Sequence, residues 1–112
     1  MKIIYKMTKA KNPKGLLEAC ALYLSSKYPF TGKDLMDFTS KITAGAWKPS
    51  PGSVYPLLER LKMRGLIYSV SSERYIITDS GKQELNNLVL QLKNIKGMID
   101  AVLDNIKTDQ TK

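Results

Sequence analysis

Residues 48–66, KPSPGSVYPLLERLKMRGL, gather Ser50, Ser53, Tyr55 and Arg60 within one short segment, a set of hydrogen-bond donors ending in a fixed cation. Val54, Leu57, Leu58 and Leu61 fall at i, i+3, i+4 and i+7, so the segment is expected to be a helix with one stripe buried. Gly52, Pro56, Glu59 and Met63 then lie on the opposite side, flanked by Ser53, Tyr55, Arg60 and Lys62, and that side is open to a partner. The chemistry on offer is recognition rather than bond-making. The chain has no His and a single Cys, which excludes Cys/His zinc sites, His-based triads and any intrachain disulfide, so no metal, cofactor or enzyme activity is expected. Cys20 falls on the apolar face of an earlier helix and reads as a small core hydrophobe.

The ends of this segment carry their own signals. Ser50 is expected to cap free amides, Pro51 suits the first helical position, and Gly65 before Leu66 resembles a left-handed stop with a hydrophobic contact behind it. Pro56 removes the hydrogen bond to the Gly52 carbonyl, so regular helix is expected to begin only near Ser53.

Charge is segregated along the chain. Residues 1–65 hold ten Lys and two Arg against four acids, a net of +8, whereas residues 66–112 hold six basic residues against six acids, a net of zero. A requirement for solubility would not put the whole excess in one half; a polyanionic partner would. The 112 residues, 43% hydrophobic and 25% charged, fit one folded domain with a modest core. No apolar run approaches the roughly 18 to 20 residues that span a bilayer, and MKIIYK is too short for a secretory core, so the expectation is a cytoplasmic protein without a membrane partner.

Several elements must position the 48–66 helix. Residues 1–14 carry five Lys and no acid and form a basic arm ending at the Asn12-Pro13 turn. Leu17, Cys20, Ala21 and Leu24 make the buried stripe of a first helix that stops at Tyr28-Pro29. Thr31 with Asp34 forms a capping-box variant at the start of a second helix, whose inward face is expected to be Leu35, Phe38 and Ile42. Trp47, in the turn that follows, reads as a lid over the core. Residues 66–70 and 74–78 are β-prone and read as a hairpin with Tyr68 and Tyr75 packing across it, and Thr78 with Asp79 opens a last helix.

The run PSPGSVYPLLERLKMRGLI followed by RYIITDSGKQEL resembles the PadR family of transcriptional regulators, whose pattern is a small-residue turn, a Tyr-Pro-Leu-Leu helix, Gly-Leu-Val/Ile, a wing strand and Thr-x-x-Gly. TGKDLMDF can be laid on the family's Gly-Tyr-Glu-Ile segment, with Lys33 where the family has Tyr, and the resemblance extends over roughly residues 16–85. It implies a mainly α (α+β) fold: a winged helix-turn-helix DNA-binding domain at 15–78 and a C-terminal dimerisation helix and tail at 79–112. It implies also a repressor that presents the 50–65 helix to the major groove of double-stranded DNA. In that frame Ser50, Gly52, Ser53, Tyr55 and Arg60 face the bases or their backbone, with Pro56 against a thymine methyl. Thr31, Lys33, Lys41 and Lys48 are placed for phosphates, and Arg74 is the single cation of a short wing.

Leu85, Leu88, Leu92, Ile95, Ile99, Val102 and Ile106 recur at alternating spacings of three and four, a heptad seam expected to form a homodimer interface. Two heads held about one helical turn of DNA apart (roughly 34 Å) would read an inverted repeat. The alternative is a winged-helix protein-interaction module that uses the seam for another partner and leaves DNA alone. Some family members release DNA when a flat aromatic compound enters the dimer groove. The last helix here has no aromatic residue to stack on such an effector, which is possible but unsupported by the residues.

Overall fold

The computed structural model describes residues 15–110; the basic arm at 1–14 and the end of the tail lie outside the described residues. The elements in chain order are α1 (Leu16–Lys27), α2 (Gly32–Ile42), α3 (Pro51–Met63), β1 (Ile67–Ser71), β2 (Arg74–Ile77) and α4 (Asp79–Gln110). This is a winged helix-turn-helix followed by one long helix. Among the described residues, no helix is long and apolar enough to cross a membrane.

α1 is the hub of the core. Leu17, Ala19, Cys20, Ala21, Leu22 and Leu24 are all buried, so the helix is covered on more than the one stripe that its spacing suggests. Buried Ser25 is satisfied locally, its hydroxyl donating to the Leu22 carbonyl at 2.8 Å. Phe30, Leu35, Val54, Leu58, Leu61 and Ile67 complete the interior. Each such side chain contributes about 1.5–3 kcal/mol by leaving water.

α2 begins with the expected capping box: the Asp34 amide donates to Thr31 Oγ1 at 3.1 Å, and the Thr31 amide donates to Asp34 Oδ2 at 2.9 Å. Its inward face needs one correction. Leu35 is buried and Phe38 partly so, but Ile42 is 57% exposed. Buried Thr39 takes the inner position instead, its hydroxyl donating to the Leu35 and Met36 carbonyls at 3.1 and 2.9 Å. Ile42 is the last residue of the helix, beyond the reach of the core.

α3 also departs from expectation at its start. Regular helix begins at Pro51 and runs through Pro56, rather than starting near Ser53. Pro56 has no amide to offer the Gly52 carbonyl, and Gly52 is exposed, so that carbonyl is not sealed in the core without a partner. Ser50 is the N-cap residue, but its hydroxyl does not cap; Oγ lies 3.5 Å from Ser53 Oγ, while the Ser50 carbonyl accepts from the Ser53 and Val54 amides at 3.0 Å each. The far end matches its signal. Gly65 sits at φ 74°, and the bonds Leu66 N–H to Leu61 O (2.9 Å) and Gly65 N–H to Lys62 O (3.0 Å) form a Schellman stop.

β1 and β2 pair antiparallel, Ile67 with Ile77 and Tyr68 with Ile76, with an irregularity between Ser69 and Ser71. A single-residue bridge adds to them, since Phe30 and Tyr75 exchange amide–carbonyl hydrogen bonds at 3.1 and 3.0 Å. Their rings also pack at 6.0 Å between centroids. Tyr75 therefore packs on Phe30, and half-exposed Tyr68 is not its cross-strand partner.

α4 starts under the Thr78 cap, whose Oγ1 accepts from the Gly81 amide at 3.0 Å. The helix has 32 residues, about 48 Å at 1.5 Å per residue. Its first turns lie on the body: Leu88 is 5% exposed and Leu85 and Leu92 pack against the core. Beyond Leu92 the helix leaves the body, and every side chain from Lys93 through Asp109 is exposed.

Candidate nucleic-acid interface

α3 is held by its buried stripe, with Val54, Leu57, Leu58 and Leu61 each no more than 3% exposed. That anchoring turns Gly52, Pro56, Arg60 and half-exposed Tyr55 outward, with Ser53 partly covered and Ser50 exposed at the helix start. Arg60 makes no ion pair among the described residues, which leaves its guanidinium available to a phosphate or a base edge. The Tyr55 ring lies over Gly32 at the start of α2; a Cβ there would meet the ring at 2.6 Å. The missing side chain at Gly32 thus lets α2 and α3 approach. Sequence inspection cannot find this, because it depends on a contact between residues 23 apart.

The turn between α2 and α3 is braced by Thr43. The Trp47 amide donates to Thr43 Oγ1 at 3.0 Å, and the Thr43 hydroxyl reaches the Thr39 carbonyl at 2.7 Å. Trp47 is buried, as expected of a lid, and the brace fixes the base from which Lys48 projects. Lys33 and Lys48 converge on one carboxylate: Lys33 Nζ is 3.0 Å from Asp37 Oδ2 and Lys48 Nζ is 3.9 Å from Asp37 Oδ1. The hydrogen bond and charge of Asp37 hold the Lys33 ammonium above its ordinary range. Lys41, one turn on, borders a shallow depression of about 240 Å³ with Tyr28, Asp34, Asp37 and Phe38.

Two candidates are engaged inside the protein. The Thr31 amide donates to Asp34 and its Oγ1 accepts from the Asp34 amide, so while the capping box holds only the hydroxyl proton remains to meet a phosphate. Arg74 donates through Nη1 to the Pro29 carbonyl at 3.4 Å, which draws it back from the wing tip toward the α1–α2 loop. The structure thus brings Lys33 and Lys48 together on Asp37, sets Lys41 one helical turn further on, and ties Arg74 to the α1–α2 loop. Arg64 emerges as an unforeseen anchor, 3.8 Å from Glu18 of α1 and 3.2 Å from Glu84 of α4.

Nothing in this arrangement resembles a reaction centre. The described residues contain no cluster of His, Cys, Asp and Glu able to hold a metal. Burial pushes the Cys20 thiol up to about 11, so at neutral pH it is an inert part of the core.

Comparison with known proteins agrees with this geometry. A PadR-like transcriptional regulator from Bacillus cereus strain ATCC 14579 is 29% identical, with 88% of this chain and 96% of that chain covered at a TM-score of 0.67. Bacillus subtilis PadR in complex with operator DNA is 27% identical at a TM-score of 0.57, covering 66% of this chain and 46% of that one. The same protein in complex with p-coumaric acid is 30% identical over 65% of this chain and 43% of that one, also at 0.57. No curated protein matches the sequence. The profile of the Transcriptional regulator PadR-like family matches residues 21–87, more than half of the sequence. The chain therefore belongs to the PadR-like family, whose members are transcriptional regulators and not enzymes.

Proposed function

We propose that the protein is a sequence-specific DNA-binding repressor that occupies an inverted-repeat operator as a homodimer. The observation that carries this reading is the two-sided build of α3: a fully buried aliphatic stripe fixes it, and Ser53, Tyr55, Pro56 and Arg60 face away from the body beside Lys33 and Lys48. In this reading Lys33, Lys41, Lys48 and Arg60 position the protein on phosphates, while Ser50, Gly52, Ser53, Tyr55 and Pro56 meet the groove. Arg74 reaches a flanking phosphate only by giving up Pro29, and Thr31 serves as the cap that orients α2. The body at 15–78 reads DNA, and the helix at 79–110 pairs the two copies.

The open part of the pairing face starts past the body. Ile95, Ile99, Val102 and Ile106 are 41–58% exposed, and Val89 and Leu103 widen the strip. Leu88 is already covered by its own chain, so Leu85, Leu88 and Leu92 tie α4 to the body as much as they serve a partner. Bacillus subtilis PadR binds operator DNA, which supports the DNA-reading assignment; it also binds p-coumaric acid. Residues 79–110 offer no aromatic side chain to stack on such a compound, so an effector is not part of this reading.

Electrophoretic retardation of a duplex selected from a random pool tests the assignment. Lys48→Ala and Arg60→Ala should weaken binding to every duplex alike, each lowering the slope of log K against log salt by about 0.9, whereas Ser53→Ala should change the preference between sites. Unaltered retardation by both the Lys48 and the Arg60 variants would refute the placement of α3 on DNA.

A further inference from the structure

Asp37 takes no part in the capping of α2 or in the core. The capping carboxylate of α2 belongs to Asp34, and Asp37 is half-exposed in the middle of the helix. Ion pairs between exposed side chains contribute little to stability, so the contacts to Lys33 and Lys48 do not explain an acid there on structural grounds. Its position is nevertheless specific. The two carboxylate oxygens face two different lysines, one on its own helix four residues back and one from the turn that leads into α3, with Lys41 four residues on. Two oxygens sharing one negative charge between two ammonium groups is the arrangement that a backbone phosphate would make at the same place.

We infer that Asp37 is an internal stand-in for a DNA phosphate, a residue that lowers the sequence-independent affinity of the reading face. The inference rests on the DNA-binding assignment above. While the carboxylate stays between the lysines, Lys33 and Lys48 must give up part of an existing partner to engage a phosphate, and the phosphate must approach a like charge. Both effects weaken binding to any duplex, whatever its sequence. In a chain whose excess of +8 lies in residues 1–65, this restrains retention on arbitrary DNA and leaves the base-facing side of α3 to decide where the protein stays.

The experiment compares the full chain with Asp37→Asn and with Asp104→Asn, which adds the same charge on the exposed outer part of α4. Each is titrated by fluorescence anisotropy into a labelled 24-base-pair duplex of random sequence between 50 and 200 mM KCl, with circular dichroism to verify folding. Removing one charge a few ångströms from a phosphate predicts about three- to tenfold tighter binding for Asp37→Asn at 100 mM salt. Its salt slope should steepen by about 0.9, the mark of one more neutralised phosphate, while Asp104→Asn stays near the parent. Equal or weaker binding by Asp37→Asn, with the parent binding normally, overturns the inference and leaves the DNA-binding assignment standing. Equal tightening by both variants also overturns it, because net charge alone would then account for the gain. If the parent binds no duplex at all, the DNA-binding assignment falls and this inference with it.

Discussion

A Cβ on Gly81 would overlap the carbonyl oxygen of Leu66 and stand 2.6 Å from Ile77 Cγ1. Neither neighbour can swing aside, because one is backbone at the end of α3 and the other a buried strand residue. Gly81→Ala is therefore predicted to destabilise the fold by about 1–3 kcal/mol, seen as a lower urea midpoint with an unchanged m-value. Gly32→Ala has the opposite profile. Its obstacle is the half-exposed Tyr55 ring, which can move, so the midpoint should change little while the affinity for a selected duplex falls. Cys20 gives a third residue-scale expectation. Its thiol is raised from an ordinary 9.0 to about 11 by burial. The unfolded chain thus loses the proton first, and this group's contribution to stability is intact below pH 9 and declines as pH rises toward 11. Thiol-reactive dye at pH 8 should label the denatured protein and spare the folded one.

The stop of α3 and the start of α4 form a joint. Thr78 Oγ1 donates to the Gly65 carbonyl at 2.6 Å, Gly81 admits the Leu66 carbonyl, and Glu84 holds Arg64 at 3.2 Å, so the cap and first turns of α4 grip the three consecutive residues that follow α3. This contact sets the angle between α3 and α4. Arg64→Ala and Glu84→Ala should each cost under about 1 kcal/mol of stability, as partly exposed ion pairs do, yet weaken operator binding by more than that loss explains. Because the Arg64–Glu84 contact is lost in both, the double variant should be no worse than Arg64→Ala alone, which also gives up Glu18, in calorimetry and anisotropy. Little of this joint was readable in the sequence. The α3 stripe, the α2 capping box, the Gly65 stop and the Thr78 cap were legible, since each depends on neighbours within one or two turns. The Phe30 bridge was not, because a single residue between Pro29 and Thr31 has no alternation to betray a strand. Ser50 filled the cap position with its hydroxyl turned to Ser53, a choice set by geometry rather than residue type. At the candidate site, the exposure of the lysines and of the outer side of α3 follows from the helical spacing, whereas the contacts of Asp37, Gly32 and Arg64 depend on tertiary structure.

At the scale of the molecule, α4 gives the body of one copy a rod with an uncovered apolar strip. The long apolar-faced helix, about 48 Å from end to end, is the longest element among the described residues. Exposed side chains as large as Ile95, Met98, Ile99, Val102, Leu103 and Ile106, contiguous over several turns, are the mark of an interaction surface. The heptad spacing predicted a seam but not its division: the turns near Leu88 are spent on the chain's own core, and the open strip begins beyond Leu92. One carboxylate in the middle of that strip should keep two copies apart without touching the body. Ile99→Asp is predicted to remain folded, to sediment as a single chain at micromolar concentration, and to bind a selected duplex at least tenfold more weakly.

Sedimentation velocity of the parent chain mixed with a selected inverted-repeat duplex measures pairing and DNA binding together. Two chains travelling with each duplex, reduced by Ile99→Asp to weak single-chain binding, is the predicted result. A parent that sediments as one chain beside free DNA would contradict the account.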